Sequence, residues 1–86
     1  MEDFKSKNGE SSNIIHTDSE SAFLRAFEEN SDALFRHALY RLGDRERALD
    51  ITQETFFKTW KHVAEGNEVK QFRPFMYRIL NNLVVD

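Results

Sequence analysis

This sequence predicts an all-α fold: a small bundle of three long helices, the first open to a break into two, behind a flexible polar tail over residues 1–17. Three observations carry that expectation. From Phe23 onward, apolar residues recur at three- and four-residue intervals, the period of a helix with one buried face. No stretch alternates convincingly with the two-residue period of a strand. Gly43-Asp44 and Gly66-Asn67 punctuate the periodic runs, where one helix would stop and the chain turn. The 86 residues leave room for one core, and an apolar fraction of 40%, with eight Phe and one Trp, is enough to fill it. That fraction is too high for a fully disordered chain.

Taken in order, residues 1–17 are rich in Ser, Asn, Glu and Lys, with only Met1, Phe4, Ile14 and Ile15 apolar. They read as a disordered terminus, with a docking peptide as the alternative. The folded domain is expected over 18–86. Thr17-Asp18-Ser19-Glu20 fits a capping box, in which the Thr hydroxyl and the Glu carboxylate satisfy orphan amides. The first helix then runs over about 19–42, with Phe23, Leu24 and Phe27 on one side. Asn30-Ser31-Asp32 offers a break near residue 30, Ser31 serving as a new N-cap. Leu34, Phe35, Ala38, Leu39 and Leu42 resume the helical spacing. Gly43 can end this helix in a left-handed conformation, and Asp44 can cap the next at once. A second helix follows over 45–65 and a polar loop over 66–71. Pro74 suits the first turn of a helix but not its interior, which starts the last helix near Phe72, giving 72–86.

The helix over 45–65 has two distinct faces. On a helical wheel, Ala48, Leu49, Thr52, Phe56, Thr59, Trp60 and Val63 gather as the buried stripe. The opposite side carries Asp50, Gln53, Glu54 and Lys61, with Phe57 and Ala64 among them. Exposing a large aromatic forgoes about 1.5–3 kcal/mol of burial energy. Phe57 therefore has two readings: it covers a neighbouring helix, or it belongs to a face presented to a partner. In the last helix, Phe72, Met76, Ile79, Leu80 and Leu83 form the core stripe, with Phe75 and Asn82 at its edge. Tyr77, Arg78, Asn81 and Val85 lie away from it.

Several function classes are excluded. With no Cys there is neither a disulfide framework nor a thiolate metal site, which is compatible with a cytoplasmic protein. No apolar run approaches the ~20 residues of a membrane span, and the N-terminus lacks the apolar segment of a secretory signal. His16, His37 and His62 are too dispersed for a helical metal motif, and Gly9, Gly43 and Gly66 build no phosphate-cradling loop. No Ser, His and Asp arrangement is catalytic, so neither an enzyme nor a cofactor is expected. The net charge of −3 is split: residues 1–35 hold eight acids and three bases, and residues 36–86 nine bases and seven acids. The C-terminal half is weakly basic, too weakly for strong autonomous DNA binding.

The run from Gly43 and Asp44 through Ala48, Asp50, Ile51, Gln53, Glu54, Thr55 and Phe56 to Trp60 resembles region 2.2 of the extracytoplasmic-function (ECF) sigma factors. That family's pattern is Gly-Asp, an Ala and an Asp at set offsets, an apolar residue, then Gln-Glu-small-Phe, often with an aromatic four residues on. Phe72-Arg73-Pro74-Phe75-Met76-Tyr77-Arg78-Ile79-Leu80-Asn81-Asn82, ending on Asp86, resembles regions 2.3 and 2.4. The resemblance covers about residues 20–86 and implies a three-helix domain. In the family, region 2.2 binds the clamp-helix coiled coil of the RNA polymerase β′ subunit. Asp50, Gln53, Glu54, Phe57 and Lys61 are thereby implied as the polymerase-binding face, with Leu49, Phe56 and Trp60 either joining it or serving as core.

The resemblance further implies that the last helix and the loop before it grip the non-template strand of the promoter −10 element. One base would be flipped into a pocket made by loop and helix. The implied DNA-binding residues are Asn67, Lys70, Arg73, Phe75, Tyr77, Arg78, Asn81 and Asn82. Basic groups suit phosphates, amides suit base edges and rings suit unpaired bases. Read without the family, Phe72 and Phe75 are core and Asn81-Asn82 a solvated edge. Phe75 stands where the family usually has Trp. Asn81 replaces the usual Arg and removes a phosphate contact. The run ends where region 2 ends, so an isolated domain is implied; a full-length member continues to a helix-turn-helix that reads the −35 element. A second expectation comes from another class: a sigma-mimicking interaction domain that binds an anti-sigma factor without contacting DNA, favoured by the acidic charge and by Asn81.

Overall fold

Gly43 sets the first corner of the molecule. In the computed structural model, which describes the backbone of residues 10–85 and the side chains of 19–85, Gly43 takes φ 68°. Its amide donates to the Leu39 carbonyl at 2.7 Å. This is the left-handed ending of a helix that a residue without Cβ permits. Asp44 then caps the next helix, its carboxylate accepting from the Arg47 amide at 3.2 Å. The described residues form α1 (Glu10–Leu42), α2 (Arg45–Ala64) and α3 (Phe72–Val85), each packed on the other two. They contain no strand. The expected three-helix bundle is the observed fold.

The break expected near residue 30 does not occur. Asn30 sits inside α1, 5% exposed, and its side-chain amide donates to the Ala26 carbonyl one turn back at 2.9 Å. Its Oδ1 accepts from the Arg73 guanidinium of α3 at 2.8 Å. An Asn breaks a helix by competing for backbone groups; this one is satisfied without leaving the helix. Asp32 pairs with Arg36 one turn on, which adds support along the same face. The helix also starts earlier than the Thr17–Glu20 capping box, at Glu10. Residues 10–17, assigned to the tail, are helical in backbone. Beyond Gly9 this stretch has neither Gly nor Pro, and extending an existing helix adds one bond per residue without a new nucleus. The rest of the expected tail, residues 1–9, lies outside the described residues.

The core gathers Leu34 and Ala38 of α1, Ala48 and Phe56 of α2, and Met76, Leu80 and Val84 of α3. Ala38 and Ala48 are fully buried on either side of the Gly43 corner, and their small side chains let α1 and α2 approach closely. The buried side of α2 is rich in threonine. Thr52, Thr55 and Thr59 donate to the carbonyls of Ala48, Ile51 and Thr55 at 2.7–2.8 Å, so none of these three hydroxyls is buried unsatisfied.

Because α2 packs on two helices, its buried arc is centred on Thr52 and Thr59 rather than on the aliphatic residues. Leu49, expected in the core, falls outside that arc and is 41% exposed. Trp60 stays half-buried at the arc's edge, its ring 5.4 Å from that of Phe23. In α3, Met76, Leu80 and Val84 are buried, while Ile79 and Leu83 of the expected stripe are only half-buried. Tyr77, expected away from the core, packs against it.

Candidate functional site

The outer face of α2 is assembled by helical periodicity alone. Asp50, Gln53, Glu54, Phe57 and Lys61 are all exposed. Phe57 is 63% exposed, so it covers no neighbouring helix of the domain. Glu54 and Lys58 form an ion pair one turn apart at 3.6 Å, an exposed contact that does little more than orient two side chains. The face continues sideways. Leu49 borders it, and a groove of about 420 Å³ between α1 and α2 carries it to Phe27, through Phe56 and Gln53. Leu24 and Phe27 are 56% and 40% exposed. The sequence placed both on the apolar side of α1 and so missed them as surface. The readable signal is that the apolar arc of α1 is wider than two partner helices can cover.

The candidate DNA residues of α3 point in three directions. Arg78 and Asn82 face outward and are exposed. Arg73, Tyr77 and Asn81 turn toward α1. The Arg73 guanidinium bonds Asn30 and lies 5.3 Å from the centre of the Tyr77 ring. Tyr77 meets His37 edge-on at 5.3 Å. Asn81 Oδ1 lies 3.0 Å from His37 Nε2 and accepts from the Arg41 guanidinium at 3.2 Å. Phe75 turns the other way, against the His62 ring of α2 at 4.9 Å.

In the loop, Lys70 is exposed, and the Asn67 side-chain amide donates to the His62 carbonyl at 3.2 Å. Gly66 reverses the chain at φ 93°, which brings the loop over the α1 flank. A cavity of about 380 Å³ opens there among Ser19, Glu20, Trp60, Asn67, Glu68 and Phe72. Among the described residues no group of His, Asp and Glu could hold a metal ion, and no helix is long and apolar enough to cross a membrane.

The sigma-70 region 2 profile matches residues 26–86, nearly the whole bundle. The chain belongs to the sigma-70 region 2 family. Its curated relatives include the ECF RNA polymerase sigma factor SigL of Mycobacterium tuberculosis, 32% identical over 69 residues that cover 78% of this chain and 39% of SigL. The ECF RNA polymerase sigma factor BldN of Streptomyces coelicolor is 32% identical over 66 residues, 76% of this chain and 25% of BldN. The chain thus spans well under half the length of either relative. No solved structure matches it at a significant level.

Within this region 2 domain, the α3 side chains divide into those that contact α1 or α2 and those that face outward. Arg73 is committed: it satisfies the oxygen of a buried Asn. Arg73→Ala is expected to destabilise the domain by about 1–3 kcal/mol in the absence of any ligand, the penalty of a buried acceptor left unpaired. Arg78→Ala, on the outward face, should leave stability within about 0.5 kcal/mol. Thermal unfolding of the two variants side by side checks this; equal melting temperatures would refute the division.

Proposed function

We propose that this region 2 domain binds the β′ clamp helices of RNA polymerase through the outer face of α2, and engages the non-template strand of the promoter −10 element through α3 and the preceding loop. The family assignment supports a role in transcription initiation. The observation that carries the docking half is the solvent-exposed Phe57, framed by Asp50, Gln53, Glu54 and Lys61. A large ring ringed by hydrogen-bonding groups on a rigid helix gives a partner an apolar anchor and an orientation. Such an activity belongs in the cytoplasm, with polymerase and promoter DNA.

For DNA, Lys70, Arg78 and Asn82 are the candidates whose side chains stand exposed in solvent and bonded to no neighbouring helix among the described residues. Phosphate contacts from Lys70 and Arg78 would position the strand, and Asn82 would meet a base edge. The aromatic candidates Phe75 and Tyr77 hold the ends of α3 against α2 and α1, and act by keeping the helix in place. Binding by the domain alone should be weak and salt-sensitive, since few phosphates are neutralised.

A second reading has one observation in its favour. Asn81 stands where the family usually carries Arg, and its oxygen is occupied by His37 and Arg41. A sigma-mimicking domain that binds an anti-sigma factor through the same α2 face would have no use for that contact. One experiment separates these readings: titration of the domain with a β′ clamp-helix fragment and with single-stranded −10 oligonucleotides. Clamp binding should be lost when Gln53→Ala is combined with Glu54→Lys; an unaffected double variant would sink the docking face. Failure to bind any −10 sequence, even with polymerase present, would favour the mimic.

A further inference from the structure

We infer that Arg41 of α1 forms a phosphate-binding site with the side-chain amide of Asn81 on α3, so that the strand-binding face of the domain crosses onto the first helix. This rests on the promoter-binding reading above and adds to it a cation from outside α3 and its loop. Arg41 stands in the last turn of α1 and is exposed. Asn30 meets Arg73 and Arg41 meets Asn81, so α1 and α3 run parallel and the end of α1 lies beside the second half of α3.

The Arg41 guanidinium donates to Asn81 Oδ1 at 3.2 Å. His37 Nε2 reaches the same oxygen at 3.0 Å. An amide oxygen only accepts, so this ring nitrogen carries a proton. Two donors from α1 thus hold the Asn81 oxygen toward α1. The amide nitrogen, on the other side of the same planar group, is turned away from them and bonds no protein group among the described residues. The guanidinium has further N–H donors to spare. Its partner here is neutral, so its charge is not cancelled, whereas Arg36 on the same helix is paired with Asp32. Arg41 makes no ion pair among the described residues. Arg78 lies three residues before Asn81, on the same side of α3, and is exposed. Two guanidiniums and an amide N–H therefore border one stretch of surface, all of them donors. That set matches a phosphate group, with charge-assisted bonds to one oxygen and the amide on another.

A basic residue in the last turn of a helix also steadies that helix against its dipole. That effect belongs to the chain alone and leaves no trace in the salt dependence of binding. Neutralising a phosphate does: each contact to a single strand steepens the fall of log affinity with log salt by about 0.7.

The test titrates the full chain, saturated with core polymerase, with a single-stranded −10 oligonucleotide at several salt concentrations. Arg41→Gln should weaken binding roughly tenfold at low salt and flatten the salt slope by about 0.7. Combining it with Asn81→Arg moves the charge across the seam onto α3, and should recover most of both. Arg36→Gln removes an equal charge from α1, but one already paired, and should leave the slope as it was. Melting temperatures of the same samples show that each variant is folded. An unchanged slope in Arg41→Gln overturns the inference and leaves the promoter reading intact, even if affinity falls, because Arg41 would then only orient Asn81 or steady α1. So does a double variant no better than the single one, or an equal flattening in Arg36→Gln. Failure of the unaltered chain to bind any oligonucleotide overturns both.

Discussion

Leu34→Ala is expected to destabilise the domain by about 2–5 kcal/mol, the range for emptying a fully buried leucine site. Leu34 is completely buried, two turns before the end of α1, within the cluster that includes Met76 and Leu80. The cavity would open where all three helices meet, so no single helix could shift to fill it without losing its other contacts. Domains of ordinary size hold about 5–15 kcal/mol in all, and a chain this small buries a smaller fraction of its surface than a large one. The variant should therefore unfold at markedly lower denaturant, with a lower midpoint and a similar slope. A loss below about 1 kcal/mol would mean that the three-helix junction collapses readily around the lost side chain and is not tightly packed.

Phe57→Ser should have the opposite profile. Most of the ring is already in water, so stability should change by no more than about 0.5 kcal/mol. Affinity for the clamp helices should fall at least about thirtyfold, the equivalent of a ~2 kcal/mol interface hot spot. Calorimetric titration alongside thermal melts of the same sample would check both halves. Unchanged affinity would remove Phe57 from the docking face, and a large fall in melting temperature would show that the ring serves the fold. The bordering Leu49 and Phe27 offer a graded control. Substitutions there should weaken binding less if Phe57 is the central anchor, because peripheral contacts mainly exclude water.

The parts of the site that are legible in the sequence are those set by neighbours along the chain. Gly43 and Asp44 act within one turn of themselves, and the positive φ and the cap are both as expected. The outer face of α2 follows from about 3.6 residues per turn and nothing else, so periodicity alone is enough to group Asp50, Gln53, Glu54, Phe57 and Lys61 on one exposed face. The loop over 66–71 and the start of α3 near Pro74 are equally local.

What the residues could not disclose by spacing is which helix each long side chain reaches. Asn30 reads locally as a helix breaker, yet an arginine 43 residues away turns it into a buried junction between α1 and α3. Arg73, Tyr77 and Asn81 carry the chemistry of nucleic-acid contacts, and their spacing places two of them off the core stripe; the proximity of α1 draws them inward. Leu49 looks like core on a wheel and emerges on the surface because α2 is clamped from two sides about its threonines. Periodicity and punctuation thus determined the three helices and the corners between them, because each depends on contacts within a few residues, while the family was legible in the motif runs Gly43–Trp60 and Phe72–Asn82. The division of polar side chains between fold and function was decided by packing, because a guanidinium or an amide serves whichever partner the neighbouring helix brings within hydrogen-bond reach.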